Sequence, residues 1–427
     1  MKARHTMWHW PVILLLVAAS ALQPASSAQG LHPDVWNVPF SAPAVPSPQV
    51  FPIIAWGGSP SEPDQLRMMK EAGFNISGFC LVSDIGRVHA AGLSCFVDDV
   101  KANGYNWKQL PPDDQIRKNS AALKAQLGSN PAALGFYLSD EPNASNLPAI
   151  GHVAALLRQA MPDKVPYVNL YPNFVPPELH GAASYAAYVR LLVDVIHQPF
   201  LSYDNYSLVD GGMRDQFYTN LEIVRRISLE TQTPFWNIVL ANAHFNYMDP
   251  SDATLSLQVF STLAYGGGGI QYFTYLTYPG SNFRLAAIDP FGNKTATWDM
   301  LRRINLKLHV LAPIMAQLRS TGVYHFPDVP EQGHPLSESR LVESVQMKQQ
   351  EIVRAQARGS CLIGEFEDNQ GRSYLMVVNK SLVESFDFGI HLKQEGKKFA
   401  CINSYTGREG GPADWLAPGD GFLCRVY

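Results

Sequence analysis

The sequence predicts an α/β fold, a (β/α)8 TIM barrel followed by a small C-terminal antiparallel β-sandwich. Eight short apolar segments alternate with longer segments of helical periodicity after residue 50. Near-continuous apolar strands are typical of a parallel sheet whose two faces are both covered. Eight of them over roughly 280 residues match the strand number and size of a (β/α)8 barrel. Beyond residue 340 the segments become short and alternating, with turns between them, which indicates a β-sandwich.

The predicted barrel strands share an unbroken apolar run and cover residues 50–56, 76–83, 93–97, 134–138, 167–170, 201–206, 235–240 and 270–275. Helical periodicity lies between them at residues 61–72, 113–127, 149–159, 184–196, 215–230 and 253–263, with Asp113 and Asp252 as helix N-caps. An open doubly wound sheet is the alternative, but it normally has a glycine-rich phosphate turn after an early strand. Gly57 and Gly58 are not followed by that fingerprint, so we favour the barrel.

The N-terminus has the features of a secretory signal peptide. Lys2 and Arg4 precede an apolar run at residues 12–22, and small residues at 26–28 offer a cleavage point. We therefore expect a secreted or periplasmic protein, with no membrane association after signal cleavage. The predicted organisation is a signal peptide (1–28), an extended lead-in (29–49), the catalytic barrel (50–325), a linker (326–339) and the β-sandwich (340–427).

Composition limits the ligand class. The net charge is −4, with 33 Lys and Arg against 37 Asp and Glu, and no basic tract is present, which argues against nucleic acid as a partner. The 18 Tyr, 21 Phe and 8 Trp residues suit neutral ring-shaped ligands such as sugars. No pair of histidines within the predicted barrel has metal-ligand spacing, so we expect neither a metal nor a cofactor. The sequence gives no indication of the oligomeric state.

The five cysteines do not form the pattern of a disulfide framework, because their number is odd and their spacing is irregular. One pair among Cys361, Cys401 and Cys424 would form in an oxidising compartment. Buried free thiols are the alternative.

Reactive groups of such barrels lie at the C-terminal ends of the strands. Strand four is followed by Asp140 and Glu141, and a carboxylic acid in a partly desolvated cleft can protonate a leaving oxygen. A helix-capping Asp beside a surface Glu is the alternative. Asp204 ends strand six and is either a base, a hydroxyl ligand or a structural residue. His244 follows strand seven and either binds substrate, relays a proton or has no functional role.

Further side chains at or near strand ends are candidate sugar-binding residues, although each would equally suit the core. With Asp140 and His244, the predicted substrate-binding set is Trp56, Tyr171, Tyr203, Tyr206, Trp236, Asn237, Tyr272 and Tyr275.

Residues 135–142 (Gly-Phe-Tyr-Leu-Ser-Asp-Glu-Pro) resemble the segment in which the large retaining clan of (β/α)8 glycoside hydrolases carries an acid/base glutamate, commonly as Asn-Glu-Pro. The resemblance is to secreted enzymes similar to the family 42-like β-galactosidases and covers roughly residues 50–320. It implies that Glu141 is the acid/base residue, with Asp140 in place of the Asn. Residues 201–206, 234–237 and 264–275 resemble later strands of the same proteins.

The chain departs from that clan at the nucleophile, which is a glutamate after strand seven. No Glu lies between Glu230 and Glu331, so the second carboxylate must come from elsewhere. Asp204 is the first choice and Asp249 the second, with retention or inversion left open. The sequence thus predicts a secreted glycoside hydrolase acting on a neutral oligo- or polysaccharide. The alternatives are a non-catalytic carbohydrate-binding barrel and an exported protein whose β-sandwich docks a partner.

Overall fold

The computed structural model describes residues 51–210, 212–349, 359–410 and 415–427. The predicted signal peptide and the lead-in at 29–49 lie outside these ranges. Within them, no helix has both the length and the hydrophobicity that crossing a bilayer requires.

Eight parallel strands form the barrel, as predicted. In chain order they are β1 Ile53–Ala55, β2 Ile76–Cys80, β3 Ser94–Val97, β4 Ala133–Asp140, β5 Val165–Asn169, β6 Leu201–Asp204, β7 Phe235–Leu240 and β8 Gly269–Phe273. Neighbours in sequence are neighbours in the sheet, and β8 pairs with β1. A single parallel bridge between Leu170 and Tyr203 joins β5 to β6 and nearly closes the ring. Every strand therefore ends at one mouth, where loops of different sequence origin meet.

The helices that surround the barrel begin close to the predicted positions. They are α1 Pro63–Glu71, α2 Ile85–Ala90, α3 Val100–Asn103, α4 Asp113–Leu127, α5 Leu147–Ala160, α6 Pro177–His180, α7 Tyr185–Ile196, α8 Gln216–Thr231, α9 Asp252–Ala264 and α10 Ala296–Met315. The long helix α10 was not predicted, and Pro313 in its last turn breaks the residue pattern on which a helix assignment depends.

The predicted N-caps are wrong by one residue. Pro112 and Ser251 occupy the cap positions, and Ser251 forms a reciprocal capping box with Thr254. Asp113 and Asp252 are instead the first helical residues, where a negative charge favours the helix dipole.

The barrel interior is apolar at its base and polar toward its mouth. Ile54, Phe96, Phe200 and Trp236 fill the lower layers, and the Phe200 and Trp236 rings stack with centroids 3.6 Å apart. A separate and larger apolar core lies between the strands and the helices. Both faces of each strand are therefore buried, which is why the strand sequences are nearly continuous apolar runs.

The C-terminal region forms two antiparallel sheets, consistent with the predicted β-sandwich. Its strands are β9 Leu318–Phe326, β10 His334–Pro335, β11 Val342–Lys348, β12 Cys361–Asp368, β13 Ser373–Asn379, β14 Phe386–Leu392, β15 Phe399–Ile402, β16 Trp415–Leu416 and β17 Gly421–Val426. Six form one sheet in the order β10-β9-β12-β13-β17-β15, with only β9 and β10 paired in parallel, and β11, β14 and β16 form the other. Strand β9 lies in the range assigned to the barrel and β10 in the predicted linker, so the pairing of the C-terminal sheets begins earlier than the sequence pattern indicated.

One face of the six-stranded sheet packs against α9 of the barrel. Gly364 on β12 is necessary for this contact, because a Cβ there would lie 2.2 Å from the carbonyl oxygen of Ala264. Val323, Phe366 and Met376 from this face join the core of the barrel. The two regions thus share one apolar interface.

Two disulfides are present. Cys401 and Cys424 join the paired strands β15 and β17, which confirms a pair among the last three cysteines. Cys80 and Cys95 join β2 to β3 and were not predicted as a pair. Cys361 is a buried free thiol.

Candidate active site

Three carboxyl groups meet at the C-terminal end of neighbouring barrel strands. Asp140 ends β4, Glu141 follows it, and Asp204 ends β6. Between them lies Asn169, the last residue of β5, which is opposite Asp140 in the strand register. Because parallel strands end at the same edge, this order brings together residues that are far apart in sequence. We call Asp140, Glu141 and Asp204 the carboxyl cluster.

The Asn169 amide connects two members of the cluster. Its Nδ2 donates to Oδ1 of Asp140 at 3.1 Å and to Oδ1 of Asp204 at 2.9 Å. Both oxygens therefore lie within about 6 Å of each other. The backbone carbonyl of Asn169 also accepts a hydrogen bond from the N–H of Glu141 at 2.9 Å. One buried residue thus contacts all three acidic residues.

Glu141 has an unusual backbone conformation. Its φ is 45°, in the left-handed region that residues other than glycine and asparagine seldom adopt. Pro142 follows directly and disfavours the right-handed helical conformation at Glu141. This conformation lies directly after β4, close enough to Asp204 for the charge of Glu141 to raise the pKa of Asp204. Strain of this kind is often concentrated at functional sites.

A buried polar chain supports Asn169 from inside the barrel. Ser202 Oγ donates to Asn169 Oδ1 at 2.9 Å. Gln271 Nε2 donates to Ser202 Oγ at 2.8 Å, and the Tyr167 hydroxyl donates to Gln271 Oε1 at 2.6 Å. Each of these side chains is fully buried. Hydrogen-bonded side chains from β5, β6 and β8 therefore support the carboxyl cluster.

Desolvation raises the pKa of every carboxyl in the cluster, of which Asp204 is buried, Glu141 half-buried and Asp140 exposed at the recess. Desolvation, followed by the charge of Asp140, raises the pKa of Glu141 to about 7. A smaller interaction with Asp204 opposes this increase. Desolvation raises the pKa of Asp140 to about 6, opposed by the Asn169 amide. The pKa of Asp204 rises well above its ordinary value, from desolvation and then the charges of Glu141 and Asp140. Among the described residues, no Lys, Arg or His forms an ion pair with the cluster. At neutral pH the cluster therefore retains at least one proton.

Five aromatic side chains line the rest of the barrel mouth, and we call them the aromatic wall: Trp56, Phe79, Tyr137, Tyr206 and Phe273. Each ring contacts the next one along the wall. The ring centroids of Tyr137 and Phe79 are 4.0 Å apart, and those of Phe79 and Trp56 are 5.2 Å apart. The Phe273 centroid lies 5.5 Å from that of Trp56 and 5.5 Å from that of Tyr206.

Both ends of the aromatic wall adjoin the carboxyl cluster. Burial and then the charge of Asp140 raise the pKa of Tyr137, and burial and then the charge of Asp204 raise that of Tyr206. Tyr171 lies near Glu141, and the charge of Glu141 adds to burial in raising the pKa of Tyr171. The wall and the cluster thus form a recess with an aromatic side and an acidic side.

His244 lies beside the wall as a neutral side chain. Its Nδ1 is 2.8 Å from Oδ1 of Asn242, and its ring stacks on Phe283 with centroids 4.4 Å apart. Burial and then the charge of Arg284 lower its pKa to about 4. His244 is therefore neutral at pH 7 and can exchange hydrogen bonds but not supply a positive charge.

The structure does not bring four of the predicted substrate-binding side chains to the recess. Tyr203 and Asn237 point outward from the barrel, where Tyr203 joins the outer core and Asn237 donates to Thr262 at 2.8 Å. Tyr272 also points outward and donates to Asn305 at 2.9 Å. Trp236 is fully buried at the base of the barrel.

Two further candidates lie apart from the cluster. Tyr275 packs against Phe74 in the outer core. Asp249 is exposed and forms an ion pair with Arg284 at 2.9 Å. Asp204 is therefore the carboxylate that accompanies Glu141.

The sequence interpretation missed Asn169, Phe79, Tyr137 and Phe273. All four lie within predicted strands or next to their predicted ends, so position alone did not distinguish them from core residues. The alternation of Tyr167 and Asn169 on β5 was the available signal, because it places both on the inner face. Across the described residues, no group of three or more His, Cys, Asp or Glu side chains has the arrangement of a metal site.

No family model and no curated protein matches the chain. Solved structures do match, and these structural neighbours are glycoside hydrolases. A family 5 glycoside hydrolase from Bacteroides vulgatus has a TM-score of 0.52 and 12% identity, over 88% of this chain and 89% of that one. A protein described as a glycoside hydrolase has a TM-score of 0.51 and 11% identity, over 88% and 92%.

A β-galactosidase from Marinomonas ef1 also matches, with a TM-score of 0.49 and 10% identity, over 64% of this chain. The matched region spans 63% of the length of that enzyme. At these identities, the comparisons establish the shared barrel fold.

Proposed function

We propose that the protein is a glycoside hydrolase that uses Glu141 as its general acid and Asp204 as the second carboxylate. The observation that carries the proposal is the meeting of Glu141, Asp140 and Asp204 at the C-terminal end of the barrel strands, where Asn169 hydrogen-bonds to all three residues. A raised pKa leaves Glu141 protonated near neutral pH, which is the state that can protonate a glycosidic oxygen.

Asp204 is the proposed partner carboxylate, and substrate binding would have to leave it ionised, because burial and the charges of Glu141 and Asp140 raise its pKa well above the ordinary value. It accepts a hydrogen bond from the Asn169 amide, which favours its charged form, whereas Glu141 receives no hydrogen bond from a neutral donor of the described side chains. During reaction, Asp204 would either attack the anomeric carbon or activate a water molecule. In both routes Glu141 gives its proton to the departing oxygen.

Retaining glycosidases place the two carboxyls about 5–5.5 Å apart, and inverting ones about 6.5–9.5 Å apart. Retention and inversion remain alternatives. Asp140 is a third carboxyl close enough to Asp204 to hold a sugar hydroxyl beside the reacting bond.

The aromatic wall supports a carbohydrate substrate. Partly exposed rings of Tyr137, Tyr206 and Phe273 offer apolar faces opposite the acidic side of the recess. Sugars have apolar ring faces and hydroxyl edges, so the two sides suit the two parts of a neutral sugar. The disulfides Cys80–Cys95 and Cys401–Cys424 support export, because such bonds persist in oxidising compartments.

The proposal is tested by hydrolysis of a panel of aryl glycosides by the full chain and by the variants Glu141→Gln and Asp204→Asn. Both variants should lose at least about a thousandfold in kcat/KM while keeping the wild-type circular dichroism spectrum. Asp249→Asn is the matched control, because it makes the same chemical change at an exposed ion pair outside the cluster. Equal activity in wild type and both cluster variants would contradict the proposal.

A carbohydrate-binding barrel without catalysis is the second candidate. One observation favours it: β7 ends in Leu240 and is followed by Ala241, Asn242, Ala243 and His244, with no carboxylate. In that case the wild-type chain would bind glycans on an array, turn over no glycoside, and bind equally well as Glu141→Gln.

A further inference from the structure

We infer that the loops after β7 and β8 form a second sugar-binding subsite beside the recess, so that the substrate is a saccharide of at least two units. The inference rests on the proposed function of the recess and adds the size of its substrate. The subsite consists of Phe245, in the loop that follows β7, and Phe283, in the loop that follows β8. We call these two rings the outer platform. Its occupant is the neutral sugar unit linked to the one in the recess.

The outer platform is continuous with the aromatic wall. The Phe283 centroid lies 6.1 Å from that of Phe273, the wall residue at the end of β8. The His244 ring connects the wall to the platform, because its centroid lies 5.8 Å from that of Phe273 and 4.4 Å from that of Phe283. Phe245 continues the row, with its centroid 5.1 Å from that of His244. A saccharide with one unit against the wall can therefore place the next unit on the outer platform.

Phe245 is held in an exposed position by Asn282. Phe245 is 65% exposed, and its φ is 46°, in the left-handed region that a bulky residue seldom adopts. Asn282 Oδ1 accepts a hydrogen bond from the Phe245 N–H at 2.7 Å, and Asn282 Nδ2 donates to the Phe245 carbonyl oxygen at 3.3 Å. Neither the exposed ring nor this backbone conformation stabilises the free protein. Such a conformation is typical of residues that contact a ligand.

The two loops that carry the outer platform are also fixed to each other. Ala243 and Arg284 exchange two backbone hydrogen bonds, both 2.9 Å long. Arg284 Nη2 lies 2.9 Å from Oδ1 of Asp249 in an ion pair between the same loops. The outer platform is therefore formed before a saccharide binds, which lowers the entropic cost of binding.

The size and charge of this surface suit a neutral sugar unit. An aromatic side chain buries at most about 150–250 Å², so the two rings present far less area than the roughly 800 Å² per partner that a stable protein interface buries. The charges beside the platform compensate each other in the Arg284–Asp249 pair. A sugar ring matches the small apolar area with its own apolar face, and a second copy of the chain is the alternative occupant.

The experiment is isothermal titration calorimetry of the full chain carrying Glu141→Gln, so that a bound saccharide is not hydrolysed. The probes are glucose, mannose, xylose and galactose, and the cello-, manno-, xylo- and galacto-oligosaccharides of two to six units. At least one series should bind about tenfold more tightly as the disaccharide than as the monosaccharide. Adding Phe245→Ala should remove most of that gain and leave monosaccharide binding unchanged.

Phe291→Ala is the matched control. Phe291 is 89% exposed in the same loop as Phe283, and it has no ring contact with another aromatic side chain of the described residues. The control should bind monosaccharide and disaccharide like the parent protein. Asn282→Ala keeps the Phe245 ring but removes both hydrogen bonds to its backbone, so it should weaken disaccharide binding in the same direction as Phe245→Ala.

The inference would be overturned by a disaccharide gain that survives Phe245→Ala, by an equal loss in Phe291→Ala, or by no gain from a second unit in any series. A wild-type dimer in analytical ultracentrifugation that Phe245→Ala dissociates would also overturn it, since the ring would then serve a protein contact. Unchanged binding in Asn282→Ala would contradict the role of Asn282 in presenting the ring.

Failure of the proposed function has a different outcome. If the wild type hydrolyses no glycoside, the proposed function fails, whereas the binding titrations still decide whether the outer platform holds a second sugar unit. If the wild type hydrolyses glycosides but Phe245→Ala does not change the disaccharide gain, the inference alone fails.

Discussion

The carboxyl groups of Asp140 and Asp204 share one donor, Nδ2 of Asn169, at 3.1 and 2.9 Å, and no cation among the described residues forms an ion pair with either. Two acidic groups in this arrangement cannot both ionise without repulsion in a partly desolvated site. The pair should therefore destabilise the folded protein at pH values where both groups would otherwise be charged. This is the expected consequence of a site arranged for chemistry rather than for stability.

Glu141→Gln should stabilise the protein at pH 8 by about 1–3 kcal/mol in urea unfolding. Burial raises the pKa of Glu141 from its ordinary 4.5 to about 7, so the folded state binds more protons than the unfolded state between these values. The stability contributed by this group is thus present below pH 4.5 and lost as the pH rises to about 7. The gain from the substitution should grow over that range and be absent near pH 4. An equal gain at pH 4 and pH 8 would show that repulsion is not its cause.

His244 should make the protein less stable in acid. Its pKa falls to about 4 from an ordinary 6.5, so the unfolded state binds more protons between these values. The contribution of a neutral His244 is therefore complete above pH 6.5 and is lost as the pH falls to about 4. His244→Phe retains a ring against Phe283, and its unfolding free energy should lack this part of the pH dependence. A parallel pH dependence in the two proteins would contradict the prediction.

The two tyrosines that flank Asp204 provide a matched pair. Tyr206→Ala should raise KM about tenfold, because the ring stacks on Phe273 in the aromatic wall and is partly exposed to the recess. Tyr203→Phe should leave kcat and KM unchanged, because Tyr203 points outward into the core. Its buried hydroxyl has no hydrogen-bond partner among the described residues, so its removal should not lower the melting temperature. A KM change in Tyr203→Phe as large as in Tyr206→Ala would contradict this placement.

The contrast between Tyr203 and Tyr206 also shows the limit of sequence interpretation. The barrel strands and most helices follow from apolar periodicity and length, and Glu141 and Asp204 follow from their positions at strand ends. The sequence does not show whether a strand residue faces the barrel interior or the surrounding helices, because strands that are buried on both sides are apolar on both sides. Trp236, Asn237 and Tyr272 were assigned to the recess for this reason.

Asn169 was missed for a different reason. A single amide inside an apolar strand has no distinctive spacing, and its role depends on two carboxyls that are distant in sequence and meet only after the barrel forms. The pair Cys80–Cys95 is similar, since it becomes evident only when β2 and β3 are neighbours in the sheet.

Thiol counting tests the cysteine assignment. With two disulfides and one buried free thiol, the native chain should react with no thiol reagent, and the denatured, unreduced chain should react at one thiol. Burial raises the pKa of Cys361 to about 12, which further suppresses its reaction in the folded state. Three reactive thiols after denaturation would show that one of the two disulfides is absent.

The central claim is that Glu141 delivers the proton to the leaving group, and its most direct test is the dependence of Glu141→Gln on leaving-group acidity. Hydrolysis of an aryl glycoside with a poor, phenol-like leaving group should fall by about a thousandfold or more, because the departing oxygen needs the proton. Bond cleavage in a dinitrophenyl glycoside should slow far less, because that oxygen leaves as an anion, so cleavage is measured by stopped flow in the first turnover. Equal losses for the two substrates, or no loss for the poor leaving group, would contradict the assignment of Glu141 as the general acid.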